Sequence, residues 1–154
     1  MPAHLSVARP LADLAATDDL GHDLGRRLSG GDRILLRGPL GAGKTALAGA
    51  ILGGCGYNGV VKSPTYTLIE EYPLGRLRVV HADLYRLDDP GELDAIGWRD
   101  YDDGHTAFLI EWPERGGVVS GDIDVSLALT DHGRQARLCG LSPRGDEILK
   151  SLDR

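Results

Sequence analysis

The run Gly38-Pro39-Leu40-Gly41-Ala42-Gly43-Lys44-Thr45 constrains this chain more than any other stretch. It satisfies the pattern G-x-x-x-x-G-K-[ST] in full, and a composition like this one yields about 0.005 such matches by chance. The apolar residues Ile34-Leu35-Leu36 before it read as a short buried strand. Lys44 to Leu52 after it is helical in propensity and is closed by Gly53-Gly54. A strand, a glycine-rich turn and a helix in that order form a phosphate cradle. Glycines let successive main-chain N–H groups curl inward, and the helix adds its positive end and its unpaired donors. The nucleotide-binding set is therefore Leu40, Gly41, Ala42, Gly43, Lys44, Thr45 and Ala46. Lys44 places a compact charge on the β- and γ-phosphates, and the Thr45 hydroxyl ligates magnesium.

The rest of the chain can be laid around that unit. Leu5 and Val7 open a strand, and Leu20, Leu24 and Leu28 recur as one apolar helix face, with Thr17 placed to cap it and Gly30-Gly31 to end it. Tyr66–Tyr72 and Leu77–Ala82 flank Pro73-Leu74-Gly75 as a hairpin, and Asp89-Pro90 starts a helix through Ile96. Ala107–Ile110 is a continuous apolar run, as in a strand buried on both faces. Ile123, Val125, Leu127 and Leu129 alternate, turn at Asp131–Arg134 and pair with Ala136–Leu141. The expectation is an α/β, three-layer, P-loop NTPase-like fold whose mixed central sheet has a parallel core and added antiparallel strands. Residues 1–154 read as a single domain, without an internal repeat or a dividing linker. Glycine, at 22 of 154 residues, is about twice its usual ~7% share, which demands many tight turns or close approaches.

A phosphate cradle needs acids to complete the metal's shell and to position a water or an acceptor. Glu111 follows the apolar run 107–110, so it emerges at the carboxyl edge of a parallel sheet, where ligands bind in open α/β folds. It is the expected second magnesium anchor beside Thr45, direct or through water. Asp83 ends the segment Arg78-Val79-Val80-His81-Ala82 and is expected to orient the attacking water or to hold magnesium indirectly, with helix capping as its plain alternative. Thr65, in Lys62-Ser63-Pro64-Thr65, is placed to sense the γ-phosphate in a switch segment, although Ser-Pro-Thr alone is more often a turn. Lys44, Asp83 and Thr65 make the expected catalytic set. His81 reads as a structural histidine of its strand, Trp98 and Trp112 as core or partner-facing aromatics, and Arg86 as a surface arginine within reach of a phosphate.

The net charge of −6 argues against nucleic-acid binding by this chain alone, and the local cluster Arg26, Arg27, Arg33 and Arg37 reads as a solvated surface. Cys55 and Cys139 form neither a disulfide framework nor a metal-ligand spacing, and Met1–Pro10 has no apolar signal core. A cytoplasmic protein without a membrane span is expected.

Taken in order, four motifs make the chain resemble the TsaE (YjeE) family of bacterial P-loop ATPases. They are Gly41-Ala42-Gly43-Lys44-Thr45, Val61-Lys62-Ser63-Pro64-Thr65-Tyr66-Thr67-Leu68, His81-Ala82-Asp83-Leu84-Tyr85-Arg86-Leu87 and Ile110-Glu111-Trp112-Pro113-Glu114. The resemblance implies ATP/ADP and Mg2+ as ligands. It also implies a role in forming threonylcarbamoyladenosine beside the tRNA anticodon through a TsaD–TsaB transferase complex, with tRNA met only indirectly. It places Thr65 in a first switch and Asp83 in a second, sets Trp112 beside the metal acid, and brings Arg134 of Gly133-Arg134-Gln135-Ala136-Arg137 near the nucleotide. The adenine preference rests on this resemblance, since no residue pattern here reads the base. Pro39 departs from the family's usual polar residue, and Gly116–Gly121 lacks its usual Leu-Pro.

Two other functions fit a phosphate loop. A small-molecule kinase would use Asp83 as the base for an acceptor hydroxyl, but it normally brings an arginine-rich lid that this chain lacks. A guanine-nucleotide switch would need an Asn-Lys-x-Asp reader, and the single asparagine, Asn58, has no such context.

Overall fold

The computed structural model describes residues 4–117 and 120–152. Residues 1–3, which begin the amino-terminal stretch discussed above, and Val118-Val119, inside the 116–121 segment, lie outside the described residues. Seven strands form one sheet: β1 (Ser6–Leu11), β2 (Arg33–Arg37), β3 (Ile69–Pro73), β4 (Arg78–Asp83), β5 (Thr106–Glu111), β6 (Ile123–Thr130) and β7 (Gly133–Gly140). Their order is β1-β7-β6-β2-β5-β4-β3. The four central strands β6, β2, β5 and β4 run parallel, while β3 on one side and β7 on the other are antiparallel to their neighbours. β1 then closes the far edge against β7, from Ser6 opposite Cys139 to Leu11 opposite Arg134. The mixed sheet expected from the sequence is the sheet observed.

Side-chain alternation divides the core into two layers. Ile34, Leu36, Val79, Ala107, Leu109 and Val125 face α1 (Leu14–Gly25), α2 (Lys44–Gly54) and α4 (Pro143–Leu152). Leu35, Val80, Ala82, Phe108 and Ile110 face the other way, toward Leu84, Leu87, Trp98 and Leu93 of α3 (Gly91–Ala95). Helices on both faces of a parallel core are the arrangement that buries near-continuous apolar strands such as 107–110. Register then matters for function. Leu36 lies opposite Glu111, and Glu111 opposite Asp83, so three neighbouring strands end together at one edge of the sheet.

Local details correct several expectations. Asp13, not Thr17, caps α1, accepting the Ala16 N–H at 2.9 Å, while Thr17 is buried within the helix. That helix ends at Gly25 rather than Gly30-Gly31, and Leu28 stays fully buried from the turn beyond it. β3 starts at Ile69, not at Tyr66, because Leu68 sits at φ 67°, a left-handed conformation that breaks extended backbone just before the strand. α4 was not foreseen. Its cap is Ser142, whose Oγ accepts the Gly145 N–H at 3.0 Å ahead of Pro143.

Candidate active site

A cleft of about 390 Å³ opens at the carboxyl edge of the parallel strands. One wall is the glycine turn and the start of α2: Leu40, Gly41, Gly43, Lys44, Thr45 and Ala46. The other is assembled from three separate segments: Thr65 ahead of β3, Asp83, Tyr85 and Arg86 at the end of β4, and Glu111 and Trp112 at the end of β5. The residues expected to carry binding, metal and catalytic roles thus share one cleft, with two exceptions. Ala42 is fully buried below the loop, in the apolar cluster. Arg134 stands behind the loop rather than in the cleft, its Nη2 donating to the Gly41 carbonyl at 3.2 Å.

The loop wall is made of backbone. Gly43, the N-cap of α2, holds φ 104° and offers no side-chain cap, so the first N–H groups of the helix remain free for a ligand. The Lys44 ammonium donates to the carbonyls of Gly38 at 2.6 Å and Pro39 at 2.9 Å, folded back over the turn. It also lies 4.6 Å from the centre of the Trp112 ring. Burial pulls this ammonium below the ordinary lysine range, against the opposing influence of Glu111, Asp83 and Glu114. Trp112 holds its place at a cost: it is the second non-glycine residue with positive φ, at 55°, among the described residues. Its ring packs 4.9 Å from Tyr85, over which Arg115 lies at 5.2 Å, so the paired rings of Trp112 and Tyr85 are flanked by one cation each, Lys44 and Arg115.

The acidic wall is made of buried side chains. Glu111 is 2% exposed and stands on the sheet face that carries α2. The Thr45 hydroxyl faces both of its carboxylate oxygens at 3.1 Å, so its single proton is shared between them. Asp83 is buried beside them. Burial raises its carboxyl above the usual carboxylate range, and the charge of Glu111 pushes the same way, while the Tyr85 N–H at 3.1 Å opposes both. Thr65 is bound to Ser63 through their hydroxyls at 2.6 Å. Arg86, which lines the cleft, rests its guanidinium 4.6 Å from the centre of the exposed Tyr66 ring.

The donors suit a magnesium ion that is held jointly with phosphate. Mg2+ usually takes one or two protein oxygens and completes its octahedron with phosphate and water. A hydroxyl and a carboxylate facing one another offer that number. Among the described residues, no three His, Cys, Asp or Glu side chains gather into a cage of their own.

Sequence reasoning passed over two features of the cleft. His81, read as a strand histidine, contacts Glu111 (2.6 Å from Nε2 to Oε2). The signal was present in period two: residues 79, 81 and 83 share a face with 107, 109 and 111. The covering of Lys44 by Trp112 had no comparable signal, because a left-handed tryptophan cannot be read from its residue type.

The family model described as threonylcarbamoyl adenosine biosynthesis protein TsaE matches residues 11–138. The tRNA threonylcarbamoyladenosine biosynthesis protein TsaE of Haemophilus influenzae is 44% identical over 121 residues, covering 77% of each chain. The protein of the same name from Nostoc is 42% identical over 134 residues, covering 83% of this chain and 82% of its own. The crystal structure of Bacillus subtilis YdiB superposes with a TM-score of 0.84 at 22% identity, covering 100% of this chain and 98% of that one, which bears on the fold. Sequence and architecture agree, and this chain belongs to the TsaE family.

Proposed function

We propose that this chain is a magnesium-dependent ATPase acting, as one domain spanning residues 1–154, in the formation of threonylcarbamoyladenosine at the tRNA position next to the anticodon. In this reading it works in the cytoplasm through a TsaD–TsaB transferase complex and meets tRNA only through that complex. The names of its relatives support the pathway, and the acidic net charge supports the indirect contact with tRNA. The observation that carries the ATPase reading is the meeting of Lys44 and Thr45, at the uncapped start of α2, with the buried Glu111 across the cleft.

The residues divide the work. Main-chain N–H groups of residues 41–46 hold the phosphates, and Lys44 exchanges two carbonyl partners for phosphate oxygens. Thr45 and Glu111 would hold Mg2+, which supplies positive charge against the phosphates as the bond to the γ-phosphate loosens. Asp83 orients the attacking water, and Thr65 reports whether a γ-phosphate is present. Arg134 steadies the loop from behind through Gly41.

The test is phosphate release from ATP by the chain alone and with a purified TsaD–TsaB complex, alongside calorimetry of Mg·ATP binding. A slow basal rate changed by the complex is expected. Lys44→Ala should lose phosphate affinity and abolish turnover with the fold retained. Absence of Mg·ATP and Mg·ADP binding at millimolar concentration, or transfer of phosphate to a small acceptor instead of water, would overturn the reading.

A further inference from the structure

His81 is completely buried on β4, and its place in the sheet does not call for a polar residue. It pairs with Leu109 across the parallel register, and Val79 and Leu109 beside it belong to the apolar cluster. A hydrocarbon side chain would satisfy such a position. The imidazole instead leaves Nδ1 buried without a hydrogen-bond partner among the described residues. A buried polar atom left unmet is destabilising, so the fold alone gives no reason for this residue.

The other ring nitrogen supplies the reason. His81 Nε2 lies 2.6 Å from Glu111 Oε2. The Nε2–H tautomer donates to that carboxylate and leaves only a lone pair at Nδ1, whereas the alternative tautomer would set two acceptors against each other and strand a buried N–H. Because 81 and 111 share one sheet face two residues out of register, the bond crosses from β4 to β5 and fixes the end of the glutamate. The Thr45 hydroxyl lies 3.1 Å from both oxygens, and because Oε2 is already held by the ring, Oε1 is the oxygen whose lone pairs stay free for a cation.

We infer that His81 is the positioning residue for the cation site, donating from Nε2 to Glu111 Oε2 so that Oε1 is presented to the divalent ion together with the Thr45 hydroxyl. This rests on the proposal that Glu111 holds magnesium. Histidine and carboxylate partners lying behind a metal ligand commonly change metal affinity by about 10–100-fold when removed, with little effect on the rest of the ligand set.

The experiment measures Mn2+ binding to the ADP-bound full chain by electron paramagnetic resonance, with ADP affinity measured separately in EDTA and thermal melting of each variant. His81→Leu is expected to weaken Mn2+ about 10–100-fold, to leave metal-free ADP affinity unchanged and to melt no lower than the parent. His81→Gln, whose amide N–H2 reaches the position of Nε2, should recover most of the Mn2+ affinity, and His81→Asn, which is too short, should not. Parent-like Mn2+ affinity in His81→Leu, beside a loss in Glu111→Gln, would make His81 a packing residue and overturn the inference. If Glu111→Gln also binds Mn2+ like the parent, the underlying assignment of Glu111 fails and takes this inference with it. Should His81→Leu not fold, the Gln and Asn variants decide the matter, and equal Mn2+ affinity in the two would overturn it.

Discussion

The two ends of α2 use glycine for opposite purposes. At its start, Gly43 adopts φ 104°, a left-handed conformation that favours glycine, and a Cβ there would make only ordinary contact with the Arg134 side chain, 3.4 Å from Nε. At its finish, Gly54 has ordinary helical backbone but no room: a Cβ there would fall on the His22 carbonyl oxygen and 2.8 Å from His22 Cα. Gly25 of α1 meets α2 in the same way, against Ile51 and Gly54. Hydrogen bonding follows the same division. The first turn leaves its N–H groups free, whereas at the last turn the Cys55 N–H donates to Ile51 and Leu52, the Gly56 N–H to Gly53 and the Tyr57 N–H to Leu52. One end is kept open for a ligand and the other is sealed against a neighbouring helix, so mutation should separate affinity from stability along a single element.

Three measurements can break or sharpen that contrast. Gly54→Ala carries the largest expected effect. Helix propensity alone would stabilise it by about 1 kcal/mol, but the overlap with α1 costs about 3 kcal/mol or more, so the melting temperature should fall by roughly 5–10 °C. A rise on calorimetry would show that the sealed end is not tightly packed. Gly43→Ala should cost about 1–2 kcal/mol of backbone strain at φ 104°, so melting falls by only a few degrees, while loosening of the loop that wraps phosphate lowers nucleotide affinity about tenfold. A large drop in melting temperature with normal affinity would reverse the assignment of the open end. The smallest effect belongs to Cys55, which donates from Sγ to the Gly25 carbonyl at 3.4 Å. Burial pushes its thiol up to about 11 from 9.0, so its stabilising contribution is intact below pH 9 and is lost as pH rises toward 11. About 1 kcal/mol should be gone by pH 10, and denaturant titrations should show that alkaline loss blunted in Cys55→Ala.

The open end of α2 was legible in the sequence because a phosphate loop is local: eight consecutive residues specify turn, helix start and charge. Glu111 and Asp83 were legible for a related reason, since a carboxylate at the end of an apolar run must surface at the sheet edge. The sealed end was not. Gly53-Gly54 read as a stop signal, whereas Gly54 is a contact with α1, a helix beginning 40 residues earlier, and spacing within one helix carries no record of its neighbour. Thr17 and Asp13 are both good caps, and only the tertiary placement of Leu20 and Leu24 decides between them. α4 escaped because Ile148, Leu149 and Leu152 are its only large apolar residues, too few for a period to stand out. The contact of His81 with Glu111 was not legible, because that partner lies on another strand.

The pairing of β1 with β7 has a consequence for how the chain comes into being. Ser6 must find Cys139, and the Leu5 N–H must find the Asp146 carboxylate at 3.0 Å, so β1, which precedes the other described strands in the chain, cannot be seated until β7 and α4 have been made. Contacts so distant along the sequence slow folding, because the intervening chain must be ordered before they reward it. Until then β7 has no outer partner, and the nascent protein carries a bare strand edge that invites pairing with other chains.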